Sequence, residues 1–246
     1  MFSIFNRRSS NKIDLSEIAT DMHSHLIPAV DDGSDNVESS VILIKGLIEL
    51  GYNRIVTTPH IISDMYKNDP ETIGAGHRIL QEGVQHHQLD ITTRAAAEYY
   101  MDEYFESLVN SDAPLLTLKD KMVLVEISFS SAPLNFKEML FALQMKGYQP
   151  VLAHPERYLY LAGEKMLYDD LKDMGVLFQM NILSLANYYG KTAAELAHYL
   201  IKKGYIDMIG TDMHHYRHLE VLRSSSQIMG PVKALLDTGK ILNPLL

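Results

Sequence analysis

The chain has 246 residues, 31 Asp+Glu against 22 Lys+Arg, a formal charge of −9, and no Cys. This length suits a single α/β barrel, and a balance of 46% hydrophobic with 22% charged residues excludes a disordered chain. Lack of Cys excludes disulfides, thiolate zinc sites, Fe–S clusters and a cysteine nucleophile, and the acidity argues against nucleic acid as a partner.

The first eight residues lack the apolar core of a signal peptide, and no stretch approaches the roughly 18 apolar residues of a spanning helix. A cytoplasmic protein without membrane insertion is expected. Residues 1–17 read as a partly mobile arm in which Arg7, Arg8 and Lys12 are solvated. From there a short apolar run, a polar residue at its end and a longer helical pattern recur. Strands are predicted over 18–22, 54–58, 91–97, 122–125, 150–153, 176–180 and 206–210. Helices are predicted over 37–50, 71–86, 102–109, 135–146, 164–174, 192–203 and 219–229. Asp35 with Glu38 reads as the N-cap of the first helix, and Gly51, Gly147, Gly175 and Gly204 as helix stops. Strands alternating with helices imply parallel βαβ units. With no linker rich in Pro, Gly or Ser, residues 1–246 read as one domain.

The chemistry gathers at the strand ends. Six of the seven predicted strands end in His, Glu or Asp: His23 and His25, His60, Glu98, Glu126, His154, and Asp212 with His214. Ordinary turns favour Asn, Asp, Gly or Ser, whereas barrel active sites lie at the carboxyl ends of strands. His23-Ser24-His25 is a His-x-His pattern whose period of two aims both rings the same way. Asp31 and Asp32 follow in the adjoining loop, and Asp32 reads as a turn and cap residue. Imidazoles and carboxylates without sulfur suit Mn, Fe or Zn. Arg157, three residues after His154, reads as a phosphate clamp or as a surface salt bridge. Tyr66 suits stacking on an aromatic substrate or plain loop packing, and Asn181 a supporting or turn role. His77, His86, His87 and His198 fall on predicted helices or their ends, and His215 and His218 lie near the mouth as bystanders.

Together His23-Ser-His25, Asp31-Asp32-Gly33, Thr58-Pro59-His60, Glu98, Glu126, His154-Pro-Glu-Arg157 and Asp212-Met-His214 resemble the PHP (polymerase and histidinol phosphatase) superfamily. The nearer resemblance is to its bacterial manganese-dependent protein-tyrosine phosphatases of capsule and exopolysaccharide synthesis. The resemblance implies a distorted seven-stranded TIM-like barrel with three divalent ions, manganese first, with iron or zinc compatible. It implies one ion on His23, His25, Glu98 and Asp212, a second on Glu98, Glu126 and His154, and a third on Asp31, His60 and His214. It further implies attack of metal-bound hydroxide on phosphorus, with no cysteine intermediate. The implied substrate is the phosphotyrosine tail of a membrane-anchored kinase driving polysaccharide export. The superfamily's second phosphate-binding arginine has no match in wording here, and Arg217 is the nearest candidate. A histidinol phosphatase or other small phosphomonoesterase is one alternative. An amidohydrolase-like metal hydrolase is another, though such enzymes use a modified lysine at strand four, where this chain has Glu126 and, at the strand's start, Lys121. A metal-stabilised binding module without turnover is the third.

Overall fold

A computed structural model describes residues 13–111 and 113–246. Most of the expected arm, residues 1–12, lies outside the described residues. Its last stretch is not an arm, because Ile13 and Leu15 are buried in the core.

Among the described residues the strands are β1 (Thr20–Asp21), β2 (Arg54–Thr57), β3 (His60–Ile61), β4 (Thr92–Ala95), β5 (Glu98–Tyr100), β6 (Met122–Glu126), β7 (Gln149–Ala153), β8 (Leu177–Asn181) and β9 (Met208–Gly210). The helices are α1 (Val37–Glu49), α2 (Pro70–His86), α3 (Glu103–Asn110), α4 (Phe136–Met145), α5 (Met166–Asp173), α6 (Lys191–Lys203), α7 (Tyr216–Ser224) and α8 (Met229–Leu236). The strands pair in parallel in two sheets, β1-β2-β4 and β3-β5-β6-β7-β8-β9.

The strands predicted over 54–58 and 91–97 are β2 and β4, and each is followed by a short further strand outside the predicted spans, β3 and β5. Pro59 has no N–H to offer a ladder, and the chain shifts there from β2 to β3. Its neighbour shifts in step from β4 to β5. Hydrogen bonds carry the pairing across the step, from Ala96 N to Thr57 O (2.8 Å) and from Glu98 N to Pro59 O (3.1 Å). At the other side the first strand meets the last. Ser24 and Met213 form a parallel bridge, Asp212 N donates to His23 O (2.7 Å), and His25 N donates to Met213 O (2.9 Å). The Asp21 carboxylate reinforces this seam by accepting from Thr211 N (2.9 Å) and Thr211 Oγ1 (2.6 Å).

Two helix expectations are corrected. The N-cap of α1 is Asn36 rather than Asp35, its side chain accepting from Ser39 N at 2.9 Å. Adjacent Asp and Asn are equally good caps, so composition alone does not choose between them. The helix predicted over 219–229 is two helices, α7 and α8, separated at residues 225–228. Serine hydroxyls compete there for the backbone, with Ser224 Oγ donating to Glu220 O and Ser225 Oγ accepting from Gln227 N. Gly51 (φ +104°) and Gly204 (φ +69°) end α1 and α6 in the left-handed region, as the sequence predicts.

Period two sorts each strand's side chains onto opposite faces. On β6, Val123 and Val125 join the large core under the helices, with Leu140, Leu143 and Phe178. Leu124 faces the other way, into a small cluster with Met22, Val56, Ala96, Val151 and Met208. Burying such a side chain contributes about 1.5–3 kcal/mol. The small cluster has a second consequence: Glu126 shares the face of Leu124, so the apolar cluster is the floor beneath the acidic strand ends.

Candidate metal centre

The first ligand candidates are placed by their backbone. After β1, Met22 enters the apolar floor and His23, Ser24 and His25 follow. The β9 seam holds this segment on one side. On the other, Thr58 N donates to Ser24 O (2.7 Å), while Thr57 Oγ1 donates to Ser24 O (2.9 Å) and accepts from Leu26 N (3.0 Å). Gly210 makes room for the first imidazole: a Cβ there would sit 2.6 Å from His23 Cβ and 2.7 Å from Gln179 Nε2.

Hydrogen bonds then orient the rings. His23 Nδ1 donates to Gln179 Oε1 (2.8 Å), His25 Nδ1 to Asp31 Oδ2 (2.7 Å), and His214 Nδ1 to the carbonyl of Asp212 (2.9 Å). Each partner is an acceptor, so each Nδ1 carries a proton, which leaves Nε2 as the atom able to present a lone pair to an ion. Those nitrogens converge on carboxylates. His23 Nε2 lies 3.2 Å from Glu98 Oε2 and 3.5 Å from Asp212 Oδ1. His25 Nε2 lies 3.4 Å and 3.3 Å from the same two oxygens. His154 Nε2 approaches Glu98 Oε1 (3.1 Å) and Glu126 Oε1 (3.5 Å). His60 Nδ1 is 3.1 Å from Glu98 Oε2, and its Nε2 is 3.6 Å from Asp32 Oδ1. His214 Nε2 stands 3.5 Å from that same Asp32 oxygen.

Donor atoms closing to within 4.8 Å of one another fall into four groups: His25, Asp32, His60 and His214; His23, His154 and Asp212; His23, His25 and Glu98; His60, Glu98 and Glu126. The donor set fits divalent cations. Glu98 Oε2 and His60 Nδ1 are buried with no hydrogen bond of good geometry among the described residues, a costly arrangement unless a cation is shared. All donors are N or O, which suits borderline and hard ions.

The electrostatics point the same way. Burial would raise Glu98, yet the His23 and His60 imidazoles hold its carboxyl well below the usual range. Burial and the charge of Glu98 push Glu126 well above it. Asp212 is depressed by His23 and His214 despite its burial. Burial and the nearby Arg157 cation push His154 down to about 4, so its ring is neutral and ligand-competent at pH 7.

One cation adjoins this nest. Arg157 ends the Pro155–Arg157 turn after β7, and its Nη1 donates to Asp212 Oδ2 at 2.6 Å. Its guanidinium carbon lies 4.6 Å from the Phe129 ring centroid and 4.1 Å from that of Tyr189. Asn181 Nδ2 binds the same Asp212 oxygen (3.0 Å) and the Tyr189 hydroxyl (2.9 Å). Asp212 therefore turns Oδ1 to the imidazoles and Oδ2 to the arginine.

Residues 19–224 match the family described as capsular polysaccharide synthesis, CpsB/CapC. The chain belongs to the CpsB/CapC family. The tyrosine-protein phosphatase YwqE of Bacillus subtilis (strain 168) is 29% identical to it over 204 residues, 80% of this chain and 78% of YwqE. The tyrosine-protein phosphatase CpsB of Streptococcus pneumoniae is 29% identical over 202 residues, 79% of this chain and 82% of that protein. A crystal structure from the pair YwqE and CpsB, described as unique metal-dependent tyrosine phosphatases, superposes with a TM-score of 0.77 at 25% identity, covering 91% of this chain and 94% of the other.

In this CpsB/CapC chain eight of the nine sequence-named ligands meet in one nest: His23, His25, His60, Glu98, Glu126, His154, Asp212 and His214. The ninth, Asp31, does not. Both its oxygens are spent on donors, Oδ2 on His25 Nδ1 and His60 N (3.0 Å) and Oδ1 on Gly33 N (3.0 Å). Asp32, read from the sequence as a turn and cap residue, takes its place beside His60 and His214. Arg157 reaches the nest, whereas Arg217 is exposed on α7 with its guanidinium 5.8 Å from the Tyr188 ring. Tyr66 lies flat over His60, with ring centroids 5.7 Å apart and planes 12° from parallel. Lys121 sits over Tyr148, away from the nest, where an amidohydrolase-type bridging lysine has no counterpart. His218, expected to be a bystander, is buried and its Nδ1 accepts from His214 N. Sequence reasoning missed Gln179, Phe129 and Tyr189. Gln179 alone carried a signal, as an inward-facing polar residue two before Asn181 on β8.

Proposed function

We propose that this CpsB/CapC chain is a cytoplasmic, metal-dependent protein-tyrosine phosphatase acting on a bacterial tyrosine kinase of polysaccharide export. One observation carries this reading: five imidazoles and four carboxylates converge at one side of the sheets beside a half-buried arginine. The similarity to the tyrosine-protein phosphatases YwqE and CpsB supports it. Among the described residues no helix is long and apolar enough to cross a membrane. In this reading the two sheets close through the β1–β9 seam into a distorted PHP-type barrel, with β2/β3 and β4/β5 each counting as one of seven strands.

His23, His25, Glu98 and Asp212 would hold one divalent ion, Glu98, Glu126 and His154 a second, and Asp32, His60 and His214 a third. Manganese is the proposed metal, with iron or zinc compatible. Bound there, the ions supply Lewis-acid polarisation of phosphoryl oxygens and a nucleophile at neutral pH. The rest falls to side chains. Gln179, Asp31 and the Asp212 carbonyl fix the tautomers of His23, His25 and His214. Arg157, anchored through Nη1, turns its remaining N–H groups to the phosphate and offsets charge on the equatorial oxygens as the ester bond breaks. Tyr66 walls the mouth over His60, and Arg217 is a rim charge that draws the anion in. Three divalent ions also offset two-thirds of the formal charge of −9, so an acidic chain receives an anionic substrate. The sequence has no Cys, so no phosphocysteine forms.

The test is Glu98→Ala and His60→Ala, purified metal-replete and assayed on a phosphotyrosine peptide and on p-nitrophenyl phosphate. Losses of at least about 100-fold are expected. Unchanged turnover refutes the metal-centre assignment. A higher kcat/KM for histidinol phosphate than for the peptide reassigns the substrate.

A further inference from the structure

The nest itself holds polar groups, but its arginine side opens onto something different. A cavity of about 240 Å³ lies there, lined by Phe129, Leu159, Tyr189, Ala193 and Arg157. Four of these five walls are apolar or aromatic. Phe129 and Leu159 stand open at its mouth, 47% and 46% exposed. The Phe129 ring also joins the cavity to the chemistry: its centroid is 4.6 Å from the Arg157 guanidinium carbon and 5.6 Å from the His154 ring, at 26°. An apolar cavity of about 150 Å³ already holds a benzene molecule. The space therefore accepts one aromatic ring with room for the chain that carries it.

Two other places compete for such a ring. Over His60, Tyr66 already stacks one face on the imidazole. Beside His214 a cavity of about 270 Å³ is lined by Ile42, Leu43 and Tyr216. Its charged wall, however, is Asp35, which repels an incoming phosphate, whereas the wall at the first cavity is Arg157. Of these three places, charge and shape agree at the Arg157 cavity.

We infer that the Phe129–Leu159–Tyr189–Ala193 cavity is the aryl subsite, taking the phenyl ring of a phosphotyrosine while its phosphate reaches Arg157. The inference rests on the phosphatase reading above and deepens it. The subsite makes the enzyme choose aryl over alkyl phosphomonoesters: a phosphoserine reaches the arginine but leaves the apolar walls wet, forfeiting the burial that a ring gains.

The experiment uses the manganese-loaded chain and two readouts. One is calorimetric affinity for phenylphosphonate against ethylphosphonate. The other is kcat/KM on phosphotyrosine and phosphoserine peptides of one sequence. The variants are Leu159→Ala and Phe129→Leu, both at half-exposed positions that folding tolerates, with Tyr66→Ala and Tyr216→Ala for the competing places. The aryl preference is expected to fall about tenfold in the first two variants by either readout. A preference unchanged in them, or lost instead in Tyr66→Ala or Tyr216→Ala, overturns the subsite and leaves the phosphatase reading standing. If the wild-type chain turns over neither peptide, the phosphatase reading falls, and the phosphonate preference decides the subsite alone.

Discussion

Asp31 and Asp32 are neighbours with opposite roles, and replacing each by Asn separates them. Asp31 accepts three hydrogen bonds, from His25 Nδ1, His60 N and Gly33 N, and its side chain is fully buried. Asn keeps the shape but only one accepting oxygen. Whichever way the amide turns, its NH₂ meets a donor: Gly33 N–H on one side, or His25 Nδ1–H and His60 N–H on the other. The cheaper orientation still leaves one buried N–H unsatisfied, at about 1–3 kcal/mol. For a chain of this size that lowers the metal-free Tm by roughly 2–12 °C. Loss of the carboxylate behind His25 also weakens manganese binding about 10–100-fold. Asp32 is 52% exposed and binds nothing else as tightly, so Asp32→Asn changes metal-free stability by only about 0.5 kcal/mol. It removes instead a donor oxygen 3.6 Å from His60 and 3.5 Å from His214. The assays are differential scanning calorimetry of chelator-treated protein and manganese titration calorimetry. A metal-free Tm unchanged in Asp31→Asn, with full manganese stoichiometry in Asp32→Asn, would refute the assignment.

Gly33→Ala is expected to destabilise by about 3 kcal/mol. Its Cβ would lie 2.1 Å from the His25 carbonyl oxygen and 2.5 Å from His25 Cβ, atoms that cannot swing away; an unchanged urea midpoint contradicts this. Asp21 supplies a pH signature, because burial pushes its carboxyl up to about 6 despite the hydrogen bonds from Thr211. Unfolded, it ionises near 4, so between about pH 4 and 6 the folded state binds more protons and stability falls as pH rises, by about 3 kcal/mol in all. The stability of metal-free Asp21→Asn relative to wild type should therefore climb by that amount across this window and level off above it; a flat difference in denaturant titrations rejects the assignment. Chelation should lower Tm, since each site filled at 100 times its Kd contributes about 2.7 kcal/mol to the folded state. Equal calorimetric transitions with and without EDTA speak against any resident ion.

The strand ends were legible in the sequence because their residue types are wrong for ordinary turns. His60, Glu98 and His154 each follow an apolar run where Gly or Asn is usual, and the same runs located the sheet. Physics blurred the reading where two neighbours compete for one role. Asp31 against Asp32, like Asp35 against Asn36, turns on a single step of backbone direction that composition does not encode. The shifts at Pro59 and at Ala96-Ala97 do not end the hydrogen bonding, but β3 and β5 beyond them are only two and three residues long, too short to stand out as apolar runs. Gln179 escaped for a different reason. Its value lies in accepting from His23 Nδ1 and from His154 N (3.2 Å), and that pairing exists only after β7 and β8 lie side by side. Phe129 and Tyr189, from separate loops, become a pair only around Arg157.

The seam between β1 and β9 also sets a clock. Asp21 and Thr211 are joined by hydrogen bonds yet lie 190 residues apart in the chain. At synthesis rates of about 5–20 residues per second, roughly 10–40 s separate the emergence of one from that of the other. His23 and His25 spend that interval as two imidazoles on an unfinished edge. Asp212 and His214 emerge after the other seven donors, and a nascent chain arrested before them has no seam and an incomplete nest. In the proposed three-ion reading the first and third ions wait for Asp212 and His214, so a pulse of radioactive manganese should label chains extending past His214 more heavily than chains arrested before Asp212.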